Sequence, residues 1–174
     1  MMNAVAIEKE KASAMVLKAV IIFDSRPLAV RAITILENAA TGVGETLKWN
    51  ITLWPSGALK RADLLELTAV VAADADLIVL ALEKMRNASD ELFGWLEHWS
   101  ERRQIKNAAV AAFCPDESSP AFFNELKRFA EWRGLNFIGS HDVVAPKNVI
   151  CLGHLLPSEP QIAGGRIFPA ATAE

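Results

Sequence analysis

Polar and charged side chains follow three of the apolar runs in this chain, and they are the residues best placed to do chemistry. Asp24, Ser25 and Arg26 follow the first run, Glu83 follows a central one, and His141 lies just beyond the last. Carboxylates can hold a divalent cation, and a serine hydroxyl or an arginine can bind phosphate. These five residues are our candidates for ligand binding.

Each chemical interpretation has a plainer alternative. Asp24 and Glu83 are two ligands, fewer than a divalent cation needs, so we predict no metal site. Cys114 could act as a nucleophile with His141, but Pro115 removes the backbone donor expected after a nucleophile at a strand end. A buried structural thiol is the simpler interpretation of Cys114. We assign no catalytic residue, and the question of enzymatic activity stays open, leaning toward none.

Short apolar runs alternate with amphipathic stretches along the chain, and this alternation positions the candidates. Residues 76–82, DLIVLAL, are apolar on both faces, as a central parallel strand must be. Capping residues, prolines and glycines mark where helices begin and end. Gly42 and Gly44 are predicted to end the first helix, and Gly134 the last. We predict strands over residues 17–23, 47–54, 76–82, 107–114 and 135–139, with helices that begin near residues 24, 62, 89 and 119.

This order of elements predicts an α/β fold. Strands and helices that alternate through short connections require right-handed crossovers and a parallel sheet. We expect a doubly wound, five-stranded parallel sheet of order 2-1-3-4-5, flavodoxin-like or receiver-like. A last helix is lacking, because four prolines interrupt the final stretch. The predicted divisions are an N-terminal tail (residues 1–15), the α/β domain (16–140) and an irregular C-terminal tail (141–174).

The missing helix should leave one face of the sheet undercovered. An apolar face left open is a surface for association, so we expect a homodimer or a protein partner. Trp132 is the candidate interface anchor, because it lies more than a quarter turn from the inward face made by Phe122, Leu126 and Phe129. A partly covered surface tryptophan is the alternative.

Composition excludes several classes of protein. The chain has 174 residues, 52% of them hydrophobic, and a net charge of −3, which indicates one globular domain and disfavours nucleic acid as a partner. The early apolar stretch contains Lys18 and lacks the features of a signal peptide, and no apolar run reaches transmembrane length. We expect a cytoplasmic protein that does not bind membranes, with Cys114 and Cys151 as reduced thiols.

Residues 17–83 resemble a response-regulator receiver domain. The resemblance lies in IIFDSRPLAVRAITILENA and in DADLIVLAL, which is similar to the third receiver strand. A receiver needs two acidic residues after its first strand to hold magnesium, and this chain has Phe23 and Asp24. Its phosphate-accepting aspartate aligns with Ala81. The resemblance therefore implies a degenerate receiver that cannot be phosphorylated.

The topology is also similar to that of flavodoxins and related flavin reductases, in which the loop after the first strand holds a flavin phosphate. Here that loop is Asp24, Ser25, Arg26 and Pro27. The aspartate would repel a phosphate and the proline lacks an N–H donor, although Ser25 and Arg26 could still bind one. We predict no cofactor, with FMN as the alternative.

The strand ADLIVLAL and the helix containing Trp95-Leu96-Glu97-His98-Trp99 are also similar to a family of uncharacterised bacterial proteins, which implies no activity. The sequence thus favours a non-catalytic regulatory or protein-interaction module. The alternative is a flavin- or nucleotide-binding protein, oxidoreductase-like, that uses the loop after the first strand.

Overall fold

The computed structural model describes residues 14–43, 47–83, 90–115 and 120–139 of the chain. Within these ranges strands and helices alternate as the sequence predicts. The strands are β1 (Met15–Phe23), β2 (Leu47–Pro55), β3 (Leu77–Ala81), β4 (Ala109–Phe113) and β5 (Asn136–Ile138), and the helices are α1 (Arg26–Val43), α2 (Ala62–Val71), α3 (Asp90–Arg102) and α4 (Pro120–Arg133). The predicted tails, apart from residues 14 and 15, lie outside the described residues.

The strands form one parallel sheet in the order β2-β1-β3-β4-β5, which confirms the predicted fold class and its flavodoxin-like arrangement. β3 is buried along its whole length, as expected for a central strand with helices on both faces. The strand order reverses between β1 and β3, which are neighbours in the sheet although α1, β2 and α2 separate them in the chain. That reversal opens the crevice in which such sheets bind ligands.

Alternating residues of the strands divide the core into two layers. Val20 and Ile22 of β1 face α2, α3 and α4 in the larger cluster, and Ala19 and Ile21 face α1 in the smaller one. The described part of the chain places only α1 on the second face. There the guanidinium of Arg31 lies 4.7 Å from the ring centroid of Phe113 and helps to bury that ring.

The bounds of the elements differ from the sequence prediction by one or two residues at several ends, and the differences at β1 and α1 have a structural consequence. β1 begins at Met15, two residues earlier than expected, because Met15 and Val16 pair with the start of β2. α1 continues through Gly42 and ends at Val43, directly before Gly44, so of the two glycines predicted to end it Gly42 lies inside the helix. A short 3-10 helix, Ser56–Lys60, follows β2. Gly134 ends α4 with a φ of +64°, a conformation that glycine adopts without strain.

An aspartate joins β1 to β3 at the edge of the sheet where the strands begin. The backbone N–H of Asp76 donates to the carbonyl of Lys18 at 2.8 Å, and the Asp76 carboxylate accepts the Lys18 N–H at 2.8 Å. The Asp76 carbonyl accepts the N–H of Ala109 on the other side. One residue thus connects Lys18 within β1 to the starts of β3 and β4.

Two tryptophans join α3 to α2, as their predicted inward positions require. The indole N–H of Trp95 donates to the Thr68 hydroxyl at 2.8 Å, and that of Trp99 donates to the Ala72 carbonyl at 2.8 Å. The two rings stack with centroids 6.3 Å apart, and both side chains are fully buried. Each buried N–H is therefore paired, and the pairs fix the position of α3 against α2.

A charged cluster on the surface joins the same two helices. His98 Nε2 lies 2.5 Å from one carboxylate oxygen of Glu66, and Arg102 donates to the other at 2.9 Å. The hydrogen bond with His98 is the main reason that the pKa of Glu66 lies below its usual value, with the charge of Arg102 adding to the effect.

None of the described helices is long and apolar enough to cross a membrane.

Replacing Thr68 with valine should destabilise the protein by about 1–3 kcal/mol, because the Trp95 N–H stays buried without an acceptor. Urea unfolding measures the change. Thr68→Ser keeps the hydroxyl and should unfold closer to the wild type. A Thr68→Val variant as stable as the wild type would contradict the role of this hydrogen bond.

Glu66→Gln should lower stability at neutral pH and have less effect in acid. The folded-state pKa of Glu66 lies below its unfolded value of 4.5, so its ionised form contributes stability above that pH and loses it as the pH falls through the folded-state pKa. Urea unfolding of both proteins at pH 7 and at about pH 3 tests this. A difference that persists unchanged in acid would contradict the assignment.

Candidate functional site

The crevice at the β1–β3 reversal is crossed by hydrogen bonds within the protein. Asp24 directly follows β1, and its backbone N–H donates to the carbonyl of Ala81, the last residue of β3, at 3.1 Å. The N–H of Leu82 donates in turn to the carbonyl of Phe113 on β4. Backbone pairing therefore extends past the strand ends on both sides of β3.

The Asp24 carboxylate joins three segments at this edge. One oxygen accepts the hydroxyl hydrogen of Ser56 at 2.6 Å, and the other accepts the backbone N–H of Glu83 at 2.9 Å. Ser56 begins the 3-10 helix after β2, and Glu83 follows β3. The carboxylate thus connects the ends of β1, β2 and β3, and we call this arrangement the Asp24 bridge.

The Asp24 bridge occupies two donors that a bound phosphate could use. Backbone N–H groups and hydroxyls at strand ends are the donors that cradle a phosphate in this kind of fold. Here the N–H of Glu83 and the hydroxyl of Ser56 already donate to a carboxylate. A phosphate would have to displace that carboxylate and would be repelled by its charge.

Ser25 and Arg26 lie beside the bridge at the start of α1. Ser25 is half-buried, and its carbonyl accepts the N–H of Ala29, the first hydrogen bond of the helix. Arg26 is exposed, and the first turn of α1 contains no acidic residue. The structure thus brings Asp24, Ser25, Arg26 and Glu83 to one edge of the sheet, whereas His141 lies outside the described residues.

Cys114 occupies a structural position beneath this edge. Its side chain is buried, and its sulfur lies 3.5 Å from the carbonyl of Glu83, to which the thiol donates. Ala81, the last residue of β3, is also fully buried, so a methyl group ends the strand at this edge. Among the described residues, no group of three or more His, Cys, Asp and Glu side chains could hold a metal ion.

A second feature lies at the opposite edge, where the strands begin. An open cavity of about 440 Å³, which we call the Trp132 pocket, forms where α3 and α4 end. Trp132 is 72% exposed, and the guanidinium of Arg133 lies 4.4 Å from the centroid of its ring. The residues lining the pocket are Ser100, Arg103, Ile105, Lys106, Trp132 and Arg133. Trp132 lies off the inward face of α4, as its sequence position predicts, and its role as an interface anchor stays a prediction. The sequence analysis did not predict the cations around it.

A third feature is an exposed apolar flank on α2. Leu67, Val70 and Val71 are each 39% exposed or more, while Thr68 and Ala69 face the core. In the described part of the chain β2 pairs only with β1, so its other edge is free. Exposed apolar residues also lie elsewhere, with Val30 on α1 62% exposed, so both helix layers present apolar surface.

Comparison of the chain with models of known protein families gives no match, and comparison with curated protein sequences gives none either.

Asp24→Ala should lower the free energy of unfolding by about 1–3 kcal/mol, toward the low end because the site is exposed to water. The change leaves the Glu83 N–H and the Ser56 hydroxyl without their acceptor. Urea unfolding measures the loss, and Ser56→Ala, which removes only one of the two hydrogen bonds, should cost less. An Asp24→Ala variant at least as stable as the wild type would show that the bridge does not stabilise the sheet.

Proposed function

We propose that this protein is a non-catalytic interaction or regulatory module on a flavodoxin-like fold. The Asp24 bridge carries the proposal. In this bridge the Asp24 carboxylate accepts hydrogen bonds from the Ser56 hydroxyl and the Glu83 N–H, two donors that could bind a phosphate. They lie at the edge where this topology usually binds its ligand. A crevice whose polar groups are paired with each other favours a structural role for that edge.

The residues at the other receiver positions support the same proposal. Phe23 stands where a receiver has its second acidic residue, and the buried methyl group of Ala81 stands where it has its nucleophile. Phosphorylation of an aspartate needs both the carboxylate and a bound metal. We therefore propose a receiver-like module that phosphate does not switch.

Exposed apolar surface supports association with protein. Leu67, Val70 and Val71 lie on the outside of α2, and Trp132 lies on α4. Side chains of this kind are expected at protein interfaces. We propose a cytoplasmic protein that acts through a homodimer or through a protein partner, without nucleic acid.

A second candidate function is the binding of flavin mononucleotide or a nucleotide through the loop after β1. The start of α1 favours it, because Arg26 is exposed there and no acidic residue lies in the first turn to offset the positive end of the helix. A ligand phosphate would then contact Ser25 and Arg26. It would also lie beside the carboxylate of Asp24, which is why we rank this function second.

Added FMN separates the two functions. The first predicts that purified protein leaves the fluorescence of FMN unchanged, because the Ser56 and Glu83 donors are paired with Asp24. It also predicts that the protein takes up no phosphoryl group from acetyl phosphate with Mg²⁺, because Ala81 supplies no nucleophile. Fluorescence titration and intact-protein mass spectrometry provide the measurements.

The second function would be established instead by saturable quenching of FMN fluorescence that is lost in the Arg26→Ala variant. The control variant Arg128→Ala, a matched change of an exposed arginine, should then still quench.

A further inference from the structure

Arg133 is a cation at an inward position of its helix. It lies one turn after Phe129, and its side chain is only 19% exposed. Its Nε is buried without a hydrogen-bond partner among the described residues, and its two terminal nitrogens lie 3.4 Å from the Glu101 carboxylate. Charge-assisted hydrogen bonds are normally shorter than 3 Å, so the two terminal nitrogens can donate to a better placed acceptor.

The other cations of the Trp132 pocket have different roles. Arg103 donates to the carbonyls of Ser100 and Arg133, at 3.4 and 2.7 Å, and so offsets the negative ends of α3 and α4. Lys106 is exposed and forms no hydrogen bond or ion pair with another residue that the structure describes. This edge therefore carries positive charge that no acidic residue of the described ranges neutralises fully, although the chain as a whole has a net charge of −3.

Trp132 presents an apolar surface next to these cations. The Arg133 guanidinium stacks on the ring, which keeps the indole beside the cations. With 72% of the residue exposed, most of the indole surface is free to contact an apolar group. A ligand that fits the Trp132 pocket therefore combines a carboxylate or similar anion with an aromatic or aliphatic group close to it.

The shape of the pocket favours a protein segment over a small cofactor or a nucleic acid. Small-molecule sites are mostly enclosed and apolar, whereas this one is open, and four of its six lining residues are polar or charged. Binding of single-stranded nucleic acid uses a basic groove with several stacking residues, and this pocket has one exposed aromatic ring and Glu101 at its rim.

We infer that the Trp132 pocket binds an acidic segment of a partner protein, with a carboxylate on Arg133 and Lys106 and an aromatic or aliphatic side chain on Trp132. The inference rests on the interaction function proposed above and names the chemistry of the partner. Binding depends on both parts of the segment, and it weakens as salt screens the charges.

A capped peptide Glu-Glu-Phe-Glu-Glu is the probe, titrated into the full-length protein to millimolar concentration. The readout is the indole N–H resonance of Trp132 in NMR spectra, assigned by its loss in Trp132→Phe. We expect a saturable shift, which is absent with Lys-Lys-Phe-Lys-Lys and weaker with Glu-Glu-Gly-Glu-Glu. No shift with the first peptide, or an equal shift with either control peptide, overturns the inference.

Charge-reversal variants test the location. Lys106→Glu should weaken binding of the acidic peptide at least about tenfold, because it turns an attraction into a repulsion. Lys48→Glu makes the same change of net charge on an exposed residue of β2 and should bind like the wild type. Equal loss in both variants overturns the inference, as does tighter binding of oligothymidylate than of the peptide. Uptake of FMN would overturn the proposed function itself, whichever way the peptide behaves.

Discussion

Two aspartates hold β1 beside β3, and the sheet depends on that contact. β3 has only five residues, and β1 reaches it across α1, β2 and α2, so no local turn fixes their register. Asp76 pairs with Lys18 at one end of the strand pair, and the Asp24 bridge closes the other end. The pairing of distant segments is costly in chain entropy, and hydrogen bonds at both ends of the ladder help to offset that cost.

The two edges of the sheet have different properties. At the edge where the strands end, the Ser56 hydroxyl and the Glu83 N–H, two donors that could have held a phosphate, both donate to the Asp24 carboxylate. At the edge where the strands begin, the Trp132 pocket presents a mostly exposed indole and cations with unused donors. We propose that the protein acts through this second edge, without chemistry at the crevice.

The sequence predicted those features that follow from local periodicity. The β3 strand, the buried Trp95 and Trp99 and the exposed Trp132 all follow from counting residues along one element. The pairing of Asp24 with Ser56 and the cluster of Glu66 with His98 could not be predicted in this way, because each partner is 32 residues away and depends on how two elements pack. The unusual position of Arg133 could have been predicted from the sequence, because helical periodicity places this cation at an inward position at the end of α4.

Hydrogen exchange at the backbone N–H of Glu83 tests the Asp24 bridge most directly. This amide follows the last residue of β3 by two positions, and its acceptor is a side chain 59 residues earlier in the sequence. The account predicts that the amide exchanges slowly in the wild type, that Asp24→Ala removes the protection, and that added phosphate leaves its resonance unchanged. A Glu83 amide that exchanges freely in the wild type, or that shifts on adding phosphate, would contradict the account.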